Sequence, residues 1–228
     1  MALRLTDTRP AAIEQQLAAL ALPPGARLTC IVAGEGARCQ IVPWRDELSH
    51  PAQRQLLAEQ CFREAYGDVA RGWTVHQHAT RYGAATLACA IDTALLDQLD
   101  AQARARGLTL MSVQPALMHA YNLARHQMSP GLHWFVALDT VSTTLLLQSP
   151  TEPLRVKRLP SSARDLASAL DREWFALGID VPRCPVSLLR SMGATMPLSL
   201  SPWSVIDLTP VADDDAPAQV AVSAELCA

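Results

Sequence analysis

Residues 133–160 constrain the fold most, because they predict three consecutive β-strands. Apolar runs at 133–139 and 142–148 are separated by two residues, and a third strand-like run follows at 154–159 after prolines. Two strands so close in sequence favour an antiparallel hairpin. Helical periodicity then predicts a helix over residues 163–177. The chain therefore has to accommodate an antiparallel sheet next to helices.

The rest of the chain alternates between strand-like and helix-like segments. A short helix is predicted over residues 11–22, which prolines and a glycine terminate. The glycines of Gly34-Glu35-Gly36 predict a hairpin between two strands, and a second hairpin is predicted to turn near Tyr82-Gly83. Further strands and helices follow in alternation, which is typical of an α/β or α+β domain.

Composition excludes several functional classes. The net charge is −3 and arginines are scattered, so no basic patch indicates a nucleic-acid partner. No apolar window approaches the length of a membrane span, and the N-terminus has no signal-peptide core. The six cysteines form no CxxC pair. We therefore expect a cytoplasmic protein without a direct membrane span.

No metal site is predicted. His76 and His78 alternate along a strand and share a face, a geometry that can hold zinc, but no third ligand is near in sequence, which favours a surface pair. The run Asp213, Asp214 and Asp215 could attract calcium, yet it lacks the spacing of a calcium loop and is typical of a solvated tail.

Asp139 is the candidate site residue that the pattern singles out. It ends a buried strand and is followed by the hydroxyls of Ser142, Thr143 and Thr144. An acidic residue beside hydroxyls at a strand end can hold a metal ion and a phosphate, so these four residues would contact a nucleotide if one binds. The structural alternative is a hairpin without a ligand, and we favour it.

Three stretches resemble a known family. Residues 85–125, ATLACAIDTALLDQLDAQARARGLTLMSVQPALMHAYNLAR, are similar to a stretch of the actin-like PilM and type II secretion protein L cytoplasmic-domain families. HWFVALDTVSTTLLL takes the place of their second phosphate-binding hairpin, and LRVKRLP the place of the strand after it. The resemblance spans residues 28–177. It implies an α/β (α+β) chain of the RNase H-like or actin-like ATPase fold, built from two related halves.

The sequence departs from the nucleotide motifs of this fold. Residues 1–27 lack a glycine-rich first hairpin, and the β-branched Thr140 and Val141 follow Asp139 where these enzymes place glycine. Gly193 is isolated where an adenosine-contacting motif would be glycine-rich. The nucleotide motifs are therefore degenerate, as in a pseudo-ATPase, and no cofactor is expected.

The resemblance also implies a domain organisation. A helix and lead-in at 1–27 precede a first actin-like half at 28–114 and a second half at 115–210. An acidic, flexible tail is expected at 211–228.

The implied function is that of a non-catalytic cytoplasmic scaffold or adaptor in a type IV pilus or type II secretion-like assembly platform at the inner membrane. Its partner would be a membrane-spanning pilus or secretion protein, or the motor ATPase of the system, and a homodimer is left open. The alternative is an actin-like-fold ATPase or small-molecule kinase that uses Asp139 to bind Mg-ATP.

A docking edge is predicted at the third strand of the quoted segment. Prolines bound residues 154–159, which is typical of an edge strand. Alternation predicts that Arg155 and Lys157 share one face, and that Leu154 faces the other way. These two basic residues are the predicted partner-binding residues, and they would suit an acidic segment. A charged edge that only prevents aggregation is the alternative.

Overall fold

The computed structural model describes residues 1–78, 81–160, 166–178, 182–191, 193–194 and 200–209. Eleven strands and five α-helices lie in these ranges. The strands are β1 (Ala2–Leu5), β2 (Arg27–Val32), β3 (Ala37–Val42), β4 (Trp73–Gln77), β5 (Thr86–Asp92), β6 (Thr109–Pro115), β7 (His133–Leu138), β8 (Ser142–Gln148), β9 (Pro153–Pro160), β10 (Val186–Arg190) and β11 (Val205–Asp207). The helices are α1 (Pro10–Ala19), α2 (Pro51–Tyr66), α3 (Thr93–Ala105), α4 (Ala116–Ala124) and α5 (Leu166–Ala176).

The first sheet is parallel and has the order β1-β2-β6. Helices α1 and α3 cover one face of it, and Leu3, Leu5, Leu17 and Leu99 belong to the core between them. The sequence predicted only a helix and a lead-in for residues 1–27, so β1 was missed. Its alternation of buried Leu3 and Leu5 with Arg4 is a period-two pattern, but one too short to stand out.

The second sheet is antiparallel, with the order β3-β5-β4, and α2 packs against it. The hairpin predicted at Gly34-Glu35-Gly36 is wrong. A 3₁₀ turn over Gly34–Gly36 carries the chain from β2 in the first sheet to β3 in the second. The two strands do not pair, because β2 bonds to β1 and β6 instead. The antiparallel pairing of β4 with β5, which flank Tyr82-Gly83, confirms the second predicted hairpin.

The third sheet has the order β11-β10-β7-β8-β9. The β7-β8 and β8-β9 pairs are antiparallel, which confirms the strands predicted within 133–160. Strands β7, β10 and β11 are parallel. Helix α5 covers this sheet, and Trp134, Leu145 and Trp174 belong to the core beneath it.

Helix α4 joins the second and third sheets. Leu117 and Ala120 of this helix share a core cluster with Leu87 of β5 and with Phe135 and Leu146 of the third sheet. The predicted division at residues 114 and 115 stays a prediction. The proposed acidic tail, with Asp213, Asp214 and Asp215, lies outside the described residues. None of the helices in the described ranges is long and apolar enough to cross a membrane.

Candidate functional site

The candidate site lies where parallel strands of the first and third sheets end. Asp139 follows β7, Ser191 follows β10, and Arg4 lies in β1. The Ser191 amide donates to the Leu138 carbonyl at 2.8 Å, which fixes the end of β10 beside the end of β7. Strand ends of this kind are where open α/β sheets bind ligands. Asp139, the candidate site residue that the sequence predicted, therefore lies at a position suited to ligand binding.

The Asp139 carboxylate is already engaged by the protein. Arg4 forms an ion pair with its Oδ2 atom, and the Asp139 side chain is only 6% exposed. The Thr140 amide donates to Oδ1 at 2.7 Å, and the Ser191 hydroxyl donates to the same oxygen at 3.2 Å. A guanidinium and three uncharged donors, the third being the Thr140 hydroxyl at 3.3 Å from Oδ1, thus satisfy both oxygens. The arrangement leaves neither oxygen without a donor.

The tip of the β7-β8 hairpin fills the space next to this carboxylate. A Cβ atom on Gly34 would lie 3.1 Å from the Val141 side chain, and one on Gly193 would lie 3.3 Å from Thr140. The β-branched side chains thus rest against two glycines that have positive φ angles. A phosphate held here would need close approach to the backbone, which these side chains obstruct.

The predicted hydroxyls do not converge on Asp139. Ser142 and Thr144 line a cleft on one side of β8, whereas Thr143 is buried and, by the alternation of a strand, points to the opposite face. Among the described residues, no hydrogen bond joins the Asp139 carboxylate to the hydroxyl of Ser142, Thr143 or Thr144. The carboxylate and the three hydroxyls are therefore separate features.

His119 of α4 lies near Arg4, whose side chain is 22% exposed. Its Nδ1 atom is 3.3 Å from Gln114 Oε1. Burial lowers the pKa of His119 below its ordinary value, and the charge of Arg4 lowers it further. Both effects favour the neutral imidazole over the charged one.

A cleft of about 660 Å³ runs between the edges of β3 and β9. Its basic lining residues are Arg38, Arg155, Lys157 and Arg158. Glu35 forms ion pairs with both Arg38 and Arg158. We call this feature the basic cleft. It joins the second sheet to the third, and positive charge predominates on its walls.

The two predicted docking residues have different surroundings. Arg155 forms an ion pair with Glu173 of α5 at 2.7 Å, whereas Lys157 is exposed and has no ion pair within the described ranges. A register irregularity next to Gln148 shifts Leu154, which packs against the α5 cluster rather than with Val156. The predicted facing of Leu154 is therefore wrong, because strict alternation does not survive a bulge.

Strand β9 is an edge strand in the part of the chain that the structure describes, and some of its backbone groups face the basic cleft. The Asp139 amide donates to the Ser142 carbonyl at 2.9 Å, so the backbone groups of Ser142 point towards β7. Along β8 the backbone groups of successive residues point alternately towards β7 and towards β9. The backbone of Lys157 then faces β8, whereas the N–H and C=O groups of Val156 and Arg158 face the cleft. Within the described ranges β9 is the last strand of its sheet, so these groups have no neighbouring strand there and are available to an added one.

A second, more apolar groove of about 400 Å³ lies between the second sheet and helix α4. His76 and His78 both line it, together with Leu87, Ile91 and Met118. In the part of the chain that the structure describes, no three His, Cys, Asp or Glu side chains are grouped to hold a metal ion. The two histidines thus lack a third protein ligand within these ranges.

Cys39 and Cys89 are direct cross-strand neighbours in the second sheet. The hydrogen bond between the two thiols raises the pKa of Cys39 well above its ordinary value, and burial raises it further. The protonated thiol is a poor nucleophile, whereas the thiolate is the reactive form. Although Cys39 lines the basic cleft, it is therefore not poised for nucleophilic chemistry.

Sequence reasoning missed the two residues that hold Asp139. Arg4 lies 135 positions away in the chain, and Ser191 lies 52 positions away. Ser191 lacks the motif that surrounds a hydrolase nucleophile, so its neighbours in the sequence indicate no site. The one available signal for Arg4 was the short alternation of residues 2–5.

Comparisons by sequence find no match, either to a family model or to a curated protein.

Solved structures match the fold. The structure titled "PilM-PilN type IV pilus biogenesis complex" aligns with a TM-score of 0.60 at 15% identity, over 89% of this chain and 75% of that one. The cytoplasmic domain of EpsL, an inner-membrane component of the type II secretion system of Vibrio cholerae, aligns with a TM-score of 0.57 at 9% identity, over 86% and 74%. The chain therefore has the α/β actin-like fold that the resemblance predicted.

Proposed function

We propose that this chain, which has the fold of PilM and EpsL, is a non-catalytic cytoplasmic scaffold of a type IV pilus or type II secretion-like assembly platform. The observation that carries the proposal is the Asp139 carboxylate, which Arg4 neutralises at the strand ends where a nucleotide would bind. The guanidinium of Arg4 thus balances the charge of the Asp139 carboxylate, as a metal ion would in a nucleotide site. The site thus has a structural role, in which it ties β1 to the β7-β8 hairpin.

Two further observations support a loss of nucleotide chemistry. Phosphoryl transfer depends on positioning and on neutralising charge with a metal ion and backbone donors. Here the Thr140 and Val141 side chains occupy the hairpin tip. They pack against Gly193 and Gly34, where a phosphate would need the space. An ATPase or kinase would have to break the Arg4 ion pair and move this tip before it could bind Mg-ATP.

The partner in this proposal is a membrane-spanning protein of the platform, and the basic cleft is its docking surface. An extended cytoplasmic segment would add to β9, where the backbone groups of Val156 and Arg158 face the cleft. Acidic side chains on that segment would meet Lys157 and the neighbouring arginines. Backbone hydrogen bonds would supply the affinity, and charge would supply the selectivity. Such a partner would place the protein at the inner membrane.

We expect Mg-ATP to leave the melting temperature unchanged. A ligand at a hundredfold excess over its dissociation constant stabilises a fold by about 2.7 kcal/mol. For a chain of this size that would raise the melting temperature by roughly 5–10 °C. Differential scanning fluorimetry with millimolar Mg-ATP measures the shift directly. A rise of this size that Asp139→Asn abolishes would instead support the ATPase or kinase.

Lys157→Glu should weaken partner capture and leave the melting temperature unchanged. The side chain is exposed, so the reversal changes the charge of the basic cleft without breaking an ion pair in the described ranges. The measurement is cross-linking and affinity purification of the tagged chain from its own cells, followed by mass spectrometry. A membrane protein of a pilus or secretion platform should be enriched with the unmodified chain and depleted with the variant.

Two control variants make this experiment specific. Arg104→Glu reverses a charge on the exposed surface of α3, and capture should persist. Arg155→Glu places a second carboxylate beside Glu173, so we expect a lower melting temperature for this variant, in contrast to Lys157→Glu. Enrichment of soluble metabolic enzymes alone would contradict the proposed function.

A further inference from the structure

Two arginines from different sheets meet at a single carboxylate beside the basic cleft. Arg38 of β3 lies 3.4 Å from Oε2 of Glu35, and Arg158 of β9 pairs with Oε1 of the same side chain. Each oxygen of one carboxylate is therefore held by a different guanidinium. Two guanidiniums so close together repel each other unless an anion lies between them. We call them the arginine pair; together they form an anion site, which Glu35 occupies.

The arginine pair is positioned by contacts that do not involve the Glu35 carboxylate. The Arg38 guanidinium lies over the Trp73 ring, 4.5 Å from its centroid, and its Nη1 atom donates to the Glu35 backbone carbonyl at 2.7 Å. Nη1 of Arg158 donates to the Gly34 carbonyl. Stacking and backbone hydrogen bonds of this kind hold a planar guanidinium in one orientation. Both arginines would thus stay in place if the Glu35 side chain moved away.

The Glu35 side chain is easily displaced. It is 78% exposed, whereas both arginines are half-buried. Ion pairs with so exposed a member are weak, because water screens the charge and the side chain loses rotational freedom when it is held. A carboxylate from another molecule can therefore replace that of Glu35 without the loss of a buried interaction.

Two glycines fix the turn that carries Glu35. Gly34 has a φ angle of 57°, in the left-handed region that favours glycine. A Cβ atom on Gly36 would lie 2.5 Å from the side chains of Thr8 and Val32, so no larger residue fits there. The backbone of the turn is therefore held against the first sheet, and a change of the Glu35 rotamer is what opens the site. The Gly34-Glu35-Gly36 motif, which forms no hairpin, thus serves to present a carboxylate to the arginine pair.

We propose that Glu35 is an internal competitor, whose carboxylate occupies the arginine pair until an acidic side chain of a segment docked on β9 replaces it. The ligand is a carboxylate because the group that the two guanidinium forks already bind is one. The site adjoins the docking edge, since Arg158 belongs to β9 and its backbone groups face the basic cleft. The inference deepens the proposed function and rests on it for the identity of the partner. Exchange of one carboxylate for another restricts docking to segments that carry an acid at this point.

Binding of a fluorescein-labelled hexaglutamate peptide to the purified full chain tests the proposal, with fluorescence anisotropy as the measurement. Glu35→Gln keeps the size of the side chain and removes the competing charge. The peptide should bind this variant about fivefold more tightly, because it no longer has to displace an ion pair. Glu14→Gln is the matched control: Glu14 is 64% exposed, pairs with Arg106 and lies in α1, away from the cleft. It should change the affinity by less than about twofold, since solvent screens distant charges.

A double-variant cycle shows whether Glu35 acts through the arginine pair. Arg158→Lys keeps the charge but loses the planar fork, so it should weaken peptide binding about threefold, and Arg158→Gln should weaken it about tenfold. In the Arg158→Gln background, Glu35→Gln should change the affinity by less than about twofold, because groups that act as a unit are not additive. Differential scanning fluorimetry of each variant verifies that it is folded.

The outcomes separate this inference from the proposed function. An affinity that Glu35→Gln leaves unchanged or lowers would overturn the inference, and so would a lack of saturable binding by both the unmodified chain and Glu35→Gln up to about 1 mM. If a platform protein is still captured in that case, the proposed function stands without the internal competitor. If Glu35→Gln tightens peptide binding but no platform protein is captured, the internal competitor stands and the proposed function fails.

Discussion

Arg4→Met should lower the free energy of unfolding by about 3 kcal/mol. Among the described residues, the substitution leaves the buried Asp139 carboxylate with the Thr140 amide and the hydroxyls of Thr140 and Ser191 as its remaining donors. Removing one member of a buried ion pair is costly because the remaining charge stays desolvated. The melting temperature should fall by roughly 6–12 °C for a chain of this size. Urea unfolding followed by circular dichroism measures the change.

An exposed arginine–aspartate pair serves as the matched control. Arg104 and Asp100 of α3 are 2.7 Å apart, but their side chains are 77% and 44% exposed. Arg104→Met should cost at most about 0.5 kcal/mol, because solvent screens such pairs. The double variant Arg4→Met with Asp139→Leu should regain part of the stability, since it removes the unpaired charge. Equal losses for Arg4→Met and Arg104→Met would contradict a structural role for the Asp139 pair.

Trp134→Ala should lower the free energy of unfolding by about 4 kcal/mol, the largest effect that we expect from a single core residue. Trp134 is fully buried in β7, between Leu147 of β8 and Val186 of β10. Its removal opens a cavity beneath α5 that neighbouring strands cannot close. The melting temperature should fall by roughly 8–16 °C, which scanning calorimetry would measure.

Trp134→Phe separates packing from hydrogen bonding at this position. Among the described residues, the indole Nε1 of Trp134 has no acceptor. Phenylalanine retains most of the volume and removes the unpaired donor, so the loss should be at most about 1.5 kcal/mol. Phe175→Ala, at a site 73% exposed, should stay within about 0.5 kcal/mol of the unmodified protein. A loss for Trp134→Phe as large as that for Trp134→Ala would show that the indole N–H has a partner.

The sequence by itself determined the elements whose contacts are local. The β7-β8-β9 meander was predictable, because its hairpins close within a few residues and its apolar pattern has the period of a strand. The degeneracy of the nucleotide motifs was equally visible, since Thr140 and Val141 stand where glycine is needed. These features depend on residues that are neighbours in the chain.

Only the tertiary structure decided which strands pair and which charges meet. Local patterns at Gly34 and Gly36 fit a hairpin, yet β2 pairs with β1 and β6, which come from distant parts of the chain. Arg4 and Asp139 are each ordinary residues in their own segments and become an ion pair only when β1 and β7 end side by side. The physical reason is that strand order and charge pairing are set by the burial of whole apolar faces against each other, which no short window of sequence encodes.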